Sequence, residues 1–453
     1  MTHTKMTTAA GASRREVVRG IGAAGLGLAA GAATARRARA QARGPVSLSF
    51  WTFENPQQRP WIHKRIRLFT ERNPNVRVDF QYFPFGDLGQ KLSVGFATGT
   101  APDGFVSQDW FMPTWLSRNL LAPLDVRKLG YASGEAFAAD FPPAFVEGAT
   151  HNGQVYGYPL WFYGFCNYLN TRHFAEVGLD AERDWPKSWE ELGEVARRLT
   201  VKEGDRFVRQ GFKFAMHAAQ WTMIQFNPIF HQCGGRWFDA QGRCTINSEA
   251  GVRAMTIRAS IARQYGAEDP ADTIATNPLP QMDWLRERCS MFFCHPIPPA
   301  AITSQNPRME QERYYRPVQY PGVERGKGYS TTYGFNLVVN ARAPREKQEV
   351  LHELYRFMMS DPADAWADAA PFPLARKSGW VDNPSVQRFP HVAEIIRARD
   401  EGVPLPRTTV YNELADQVHR GVQRILLNRA DIKATLDGIA AAVDRATEAA
   451  RRG

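Results

Sequence analysis

The chain has almost nothing that reads as catalytic or cofactor machinery. Neither HExxH, GxSxG nor a paired CxxC occurs in its 453 residues, which leaves zincin, serine-hydrolase and dithiol redox chemistry without a sequence basis. Past the first forty residues there is no apolar run of the ~20 residues that a spanning helix needs. There is also no fixed-period repeat and no low-complexity linker. Charge of one sign is scarce as well. The formal net charge is +10, but seven of the 56 basic residues and only one of the 46 acids fall in the first forty positions. The remainder of the chain holds 49 bases against 45 acids, a net of +4. An excess so mild and so evenly spread gives no argument for nucleic acid.

Cysteine is sparse: Cys166, Cys233, Cys244, Cys289 and Cys294. None has the spacing of a zinc site. Cys233 and Cys244 flank a predicted hairpin with its turn near Asp239 to Gly242. A bridge across its base and a pair of free thiols both fit, since spacing does not fix the Cα separation. Cys289 and Cys294 form a less favoured pairing, and Cys166 reads as a buried free thiol.

What is present begins with an address. Ser13-Arg14-Arg15-Glu16-Val17-Val18-Arg19 resembles the twin-arginine export signal. A Gly/Ala/Leu stretch from Gly20 to Ala35 and the small-x-small cue Ala38-Arg39-Ala40 follow, so residues 1–40 are expected to be a signal peptide and the working protein periplasmic. Gly20-Ile21-Gly22-Ala23-Ala24-Gly25 matches the dinucleotide fingerprint letter for letter. It lacks the preceding strand and the later acid that the fingerprint requires, so no cofactor is expected there.

Aromatic residues are plentiful: Trp 12, Tyr 14 and Phe 27. Several adjoin Gly or Pro rather than following helix or strand spacing, a placement that suits a surface cleft. Val46 to Phe50 alternates as a strand does, Ile62, Ile66 and Phe69 share one helical face, and Val76, Val78 and Phe80 restore the period of two. That is strand–helix–strand, which predicts parallel pairing. Phe105-Val106-Ser107 reads as a short strand whose end carries Gln108-Asp109-Trp110. Ser188-Trp189-Glu190-Glu191 is a capping box, with Glu191 expected to reach back to the serine N–H. Phe335, Leu337 and Val339 alternate as a strand, while Leu414, Val418, Val422 and Ile425 mark a late helix. The class is α/β, with length enough for two lobes.

Several landmarks, in order, resemble the family 1 extracellular solute-binding proteins of ABC importers, the maltose-binding-protein type. They include Phe50-Trp51, Phe69-Thr70-Glu71-Arg72-Asn73-Pro74-Asn75-Val76, Ala97-Thr98-Gly99-Thr100-Ala101-Pro102-Asp103 and Asn119-Leu120-Leu121-Ala122-Pro123-Leu124-Asp125. Val155-Tyr156-Gly157-Tyr158-Pro159, Tyr168-Leu169-Asn170, Lys187 to Leu192 and Cys233-Gly234-Gly235-Arg236-Trp237-Phe238-Asp239 complete the set. Arg286 to Phe293 departs from the glycine-lysine-alanine-alanine-methionine-like stretch usual at that place. The resemblance implies a two-lobed periplasmic-binding-protein fold (type II) with a hinge between the lobes. Residues 43–163 plus 315–371 would form lobe 1, and 164–314 plus 372–453 lobe 2. The crossings would fall near Tyr163-Gly164, Tyr315 to Tyr320 and Pro371. It further implies a carbohydrate-like solute held by closure, delivery to ABC permease subunits, a monomer, and no catalytic residue, metal or cofactor. A carbohydrate-active enzyme stays open, because paired carboxylates have no sequence signature. So does a binding protein for a polyol or a glycerol-phosphate-type solute.

Ligand contacts are expected where strands end. Trp51 follows the first strand, facing the cleft or packed at its boundary, and Glu54 lies in the same loop as Arg59. Asp109 either accepts sugar hydroxyls or caps a helix, and Trp110 offers a flat apolar face. Trp161 and Tyr163 sit at the first hinge, where members of the family commonly touch ligand. Trp221 opens a helix toward the cleft or packs in the core. Tyr333 and Phe372 complete the candidates, while His295 reads as a structural histidine.

Overall fold

The structure, a computed structural model, describes residues 44–56, 58–274, 279–297, 299–360, 375–378, 384–387 and 391–452. The expected signal peptide, Phe372 and the crossing near Pro371 lie outside the described residues.

Two sheets organise the chain, and the first grows from the alternation at Val46. Strand β1 (Val46–Phe53) runs parallel to β2 (Val76–Phe83), in register from Val46↔Val76 to Phe53↔Phe83. Helix α1 (Arg59–Arg72) joins them with Pro60 in its first turn, where a missing N–H costs no helical bond. It buries Trp61, Ile62, Arg65 and Phe69. Helix α2 (Leu88–Thr98) stops at Gly99, whose φ of 75° is the left-handed geometry that glycine adopts most cheaply. Strand β3 (Gly104–Gln108) then pairs with the other side of β1, again parallel.

Strand β4 (Gly157–Tyr163) is the last of this pass through the first sheet, and β5 (Cys166–Asn170) already belongs to the second. The second sheet adds β6 (Arg206–Lys213), β7 (Cys289–Cys294) and β8 (Tyr315–Val318), in the order β8-β5-β7-β6, with Val201–Glu203 on the far edge. Helices α3 (Trp189–Leu199), α4 (Ala219–Gln232) and α5 (Glu249–Arg263) pack in this half. Ser188 caps α3 by accepting from the Glu191 N–H at 3.1 Å. The Glu191 carboxylate reaches one residue further back than the capping box predicts, to the Lys187 N–H at 2.8 Å.

Strand β9 (Thr331–Val339), buried along its whole length, returns to the first sheet antiparallel to both β3 and β4. Helix α6 (Arg345–Met358) covers β1 beside α1. Helix α7 (Val392–Asp400) lies on the first crossing: a Cβ on Gly164 would fall 2.0 Å from the Ala398 carbonyl oxygen, so only glycine permits the approach. Helices α8 (Tyr411–Asn428) and α9 (Ile432–Arg452) close the second half against α4 and α5. Among the described residues no helix is long and apolar enough to cross a membrane.

Two expectations need correction, and one open alternative is decided. Tyr315 to Val318 pairs with β5, from Tyr315↔Asn170 to Val318↔Asn167, so it belongs with the second sheet and not with lobe 1. The return falls later, between Val318 and Thr331. Pro317 fits because β8 is an edge strand, where no outward N–H is needed. Val403–Pro404, expected within lobe 2, pairs with Thr331 and Thr332 of the first sheet. All five cysteines are free thiols, so no Cys233–Cys244 bridge is formed. The predicted turn exists, with Gly242 N–H donating to the Asp239 carbonyl at 2.9 Å, but Cys244 stands opposite Phe238 and Cys233 lies back at the end of α4.

Candidate functional site

Strands β1, β3 and β4 run in one direction, and β3 and β4 end beside the first residues of β9, which is antiparallel to both. Phe53, the last residue of β1, lies 4.7 Å from Phe335 of β9 and 6.3 Å from Trp161 of β4, centroid to centroid. Phe85, just past β2, meets Phe53 at 5.4 Å and Trp110 at 6.4 Å. From the second half, Trp221 in the first turn of α4 reaches Phe85 at 6.5 Å, and Tyr411 at the start of α8 stacks on Trp110 at 5.7 Å. Tyr163 stands 5.3 Å from Tyr333 and 5.8 Å from His295. Rings from both halves therefore meet in one layer.

Polar atoms in that layer are short of partners. Both amide atoms of Gln108, Oδ1 of Asp109, Nε1 of Trp110, Nε1 of Trp161 and the Tyr411 hydroxyl are buried and make no hydrogen bond with the described residues. Leaving such a group unpaired costs about 1–3 kcal/mol; others occur elsewhere, as at Trp61, Asn167 and Trp284, but here they are gathered around one cluster of rings. Burial pushes the Asp109 carboxyl up to about 7, against the pull of Arg407 and of the Gly334 and Trp110 backbone N–H groups. Arg407 itself is anchored by the Ala144 carbonyl and by Glu147. Trp110, Trp161, Tyr163, Tyr333 and Tyr411 are buried together in this layer, so their polar atoms and ring faces could meet a neutral polar guest only when the two halves part. Among the described residues no group of three metal-ligating side chains occurs.

The crossing segments are tied together beneath this layer. The Phe165 N–H donates to Ser330 Oγ at 2.9 Å, linking the first crossing to the return. Gln58 donates to the Tyr163 hydroxyl at 2.7 Å.

Six of the predicted residues are brought together here: Asp109, Trp110, Trp161, Tyr163, Trp221 and Tyr333. Asp109 does not cap a helix; it opens the short turn Asp109–Phe111, whose preceding residue is Gln108. Trp51 stands elsewhere. Strand β1 runs on to Phe53, so Trp51 lies two residues short of the strand end, against Phe83 at 4.9 Å and beside Gly95 of α2. Glu54 is held in a half-exposed ion pair with Arg59 at 3.3 Å, and Arg59 lies over the Tyr82 ring. Phe372 lies outside the described residues. The sequence reading missed Phe53, Phe85, Gln108, Phe335 and Tyr411. Tyr411 shares the stripe of Leu414 and Val418, which reads as core; Phe85 follows Pro84, the kind of placement that marked the other loop aromatics. His295 is not merely isolated: its ring sits among Tyr163, Phe165 and Trp221.

Residues 53–365 match the family of bacterial extracellular solute-binding proteins. The chain belongs to that family. Among curated relatives of this solute-binding protein, a putative binding protein of Brucella abortus (strain 2308) is 21% identical over 389 residues, covering 85% of this chain and 89% of the relative. A probable amino-acid ABC transporter periplasmic-binding protein of Sinorhizobium fredii (strain NBRC 101917 / NGR234) is 31% identical over 218 residues, 46% of each chain. Among solved structures, the GacH receptor of Streptomyces glaucescens, determined unliganded and in complex with acarbose, superposes with a TM-score of 0.75 at 20% identity, over 90% of this chain and 99% of that one. This likeness shows a shared fold, the two-lobed α/β fold of solute-binding proteins.

Proposed function

We propose that this protein is the substrate-binding component of an ABC importer and captures a carbohydrate-like solute between its lobes. The observation that carries the reading is the unpartnered Asp109 carboxylate oxygen, set among the rings of Trp110, Tyr333 and Tyr411 where strand β3 ends. Sugars combine apolar C–H faces with many hydroxyls, so one carboxylate, an amide, two indole N–H groups and a phenol suit them. A phosphorylated guest would call for a cluster of cations, whereas Arg407, held by Ala144 and Glu147 with its Nε unpartnered, is a single guanidinium. The acarbose-binding GacH receptor supports the same ligand class through its fold.

In this reading the twin-arginine segment Ser13 to Arg19 directs export to the periplasm. Ligand bridging both lobes favours the closed form by its differential affinity, and a monomer delivers it to the permease unaltered. Trp110 and Tyr333 contact the solute from lobe 1, and Trp221 from lobe 2. A second reading, an amino-acid solute, is favoured by the Sinorhizobium fredii relative.

A thermal-shift screen over mono- and oligosaccharides, polyols, phosphodiesters and amino acids tests both. A ligand at 100-fold its Kd adds about 2.7 kcal/mol of stability. The proposal expects shifts with saccharides alone. A shift confined to amino acids establishes the second reading, and conversion of any sugar into product removes the transport role.

A further inference from the structure

One pair of thiols, buried in the second lobe, stands close enough for a single bond to join them. Cys166 opens β5, two residues past the Gly164 crossing, and Cys294 closes β7, immediately before His295 of the aromatic layer. The two strands are antiparallel and Cys166 and Cys294 are direct register partners. Directly opposed residues have Cα atoms about 4.5–5.5 Å apart, inside the roughly 4.4–6.8 Å window that a disulfide accepts. Their side chains share a face: both belong to the small core of Tyr168, Trp284 and Phe292, whereas Leu169, Met291 and Phe293 pack in the main core on the other face. Helix α7 covers this face, with the Cys166 thiol near the Glu394 carbonyl at 3.8 Å.

We propose that Cys166 and Cys294 are a thiol modification site at the hinge, converted by a disulfide oxidant into one cross-strand disulfide. One thiolate attacks a sulfur of the oxidant, whose S–S bond breaks and releases a first thiolate. The second cysteine attacks the mixed disulfide, the Cys166–Cys294 bond forms, and the second thiolate leaves. Two electrons pass to the oxidant, and the two thiol protons end on the released thiolates. The other cysteines are placed differently. Cys244 stands opposite Phe238, Cys233 ends α4, and Cys289 lies beside Gln210 of β6 with its thiol turned to the Met291 carbonyl at 3.0 Å. The bridge would fasten the first crossing strand to β7 at the point of entry into the second lobe. Export gives the site its oxidant, so its physiological use rests on the periplasmic reading; bond formation itself does not depend on any ligand or permease.

The reaction in the folded protein is slow, because burial pushes the Cys166 thiol up to about 12. The test therefore incubates the folded, full chain with oxidised glutathione for hours at about pH 8.5, blocks remaining thiols, and maps tryptic peptides without reduction. The expected product is one linked pair of peptides containing Cys166 and Cys294, about 2 Da below their sum and separated by reductant, with Cys233, Cys244 and Cys289 alkylated. A triple Cys233→Ala, Cys244→Ala, Cys289→Ala variant should give the same product. A dominant link involving any other cysteine, glutathione adducts without a link, or full alkylation of both residues overturns the site. Because the native sequence supplies the primary result, a misfolded variant does not decide it. Failure here leaves the ligand screen untouched, and a negative ligand screen leaves this bond in place.

Discussion

Inside the second lobe Arg258 and Glu268 are 2% and 1% exposed, as deeply buried as Asp109 and Trp110 in the junction, at 2% and 0%. The Arg258 guanidinium donates to both Glu268 oxygens, at 2.7 and 3.1 Å, Glu268 also accepts from the Phe214 N–H, and the guanidinium lies 3.7 Å over the Phe214 ring. Lys213 nearby binds both Asp272 and Asp283, at 2.8 and 2.6 Å. Burial lowers its pKa, but the two carboxylates outweigh burial and hold the ammonium charged. The junction contains no such closure: Gln108, Asp109, Trp110 and Tyr411 each keep an unpartnered polar atom among the described residues. Unpartnered buried atoms also occur inside the second lobe, at Asn167, Gln225 and Trp284, so what sets the junction apart is that several of them gather around one cluster of rings drawn from both halves.

The sharpest way to break this contrast is to remove a paired group. Glu268→Ala leaves Arg258 charged and alone in the core, an arrangement that costs about 3–5 kcal/mol. Urea denaturation should show that loss, with the midpoint falling and the slope unchanged. A change below about 1 kcal/mol would mean that the second-lobe ion pair is as dispensable as a surface one.

Asp109 should respond in the opposite sense. Its carboxyl ordinarily titrates at 3.8 and is pushed to about 7 in the folded protein, so between those values the native state holds a proton that the unfolded state has lost. This contribution lowers stability as pH rises from about 4 to 7 and is level above. Asp109→Asn abolishes it, so the variant should be more stable than the parent at pH 8, by an amount on the order of a few kcal/mol. The difference should vanish near pH 4. Denaturation at both pH values measures it, and an Asp109→Asn variant less stable than its parent at pH 8 would show that the carboxylate is internally satisfied after all.

Regularity decided how much of this the sequence could reveal. The parallel β1–α1–β2 unit follows from alternation at Val46 to Phe50 and the face of Ile62, Ile66 and Phe69, because both patterns are local. Asp109 and Trp110 were legible as the end of a short strand for the same reason. Trp51 was placed just past a strand because a strand end cannot be read to within two residues: the clean alternation stops at Phe50, yet pairing with β2 continues to Phe53. Tyr411 was hidden by its own regularity, since it continues the apolar stripe of α8, and its hydroxyl acquires meaning only when Trp110 arrives from the other lobe. The same holds for Cys166 and Cys294, which are 128 positions apart in sequence and become neighbours only through the register of β5 and β7.

Tyr411→Phe makes the smallest and most discriminating change. It deletes one unpartnered hydroxyl and leaves the ring that stacks on Trp110 at an interplanar angle of 27°. If that hydroxyl belonged to the fold, its loss would destabilise the protein by about 1 kcal/mol, the net worth of an ordinary hydrogen bond. Because it has no partner among the described residues, the unliganded variant should be at least as stable as the parent. The loss should appear only with ligand, as a roughly 5- to 10-fold rise in Kd by calorimetry, equivalent to about 1–1.4 kcal/mol. Trp110 is unsuited to the same purpose, since truncating so large a buried side chain costs about 3–5 kcal/mol of stability by itself. Equal stability with weaker binding assigns Tyr411 to the guest; lower stability with unchanged binding returns it to the core.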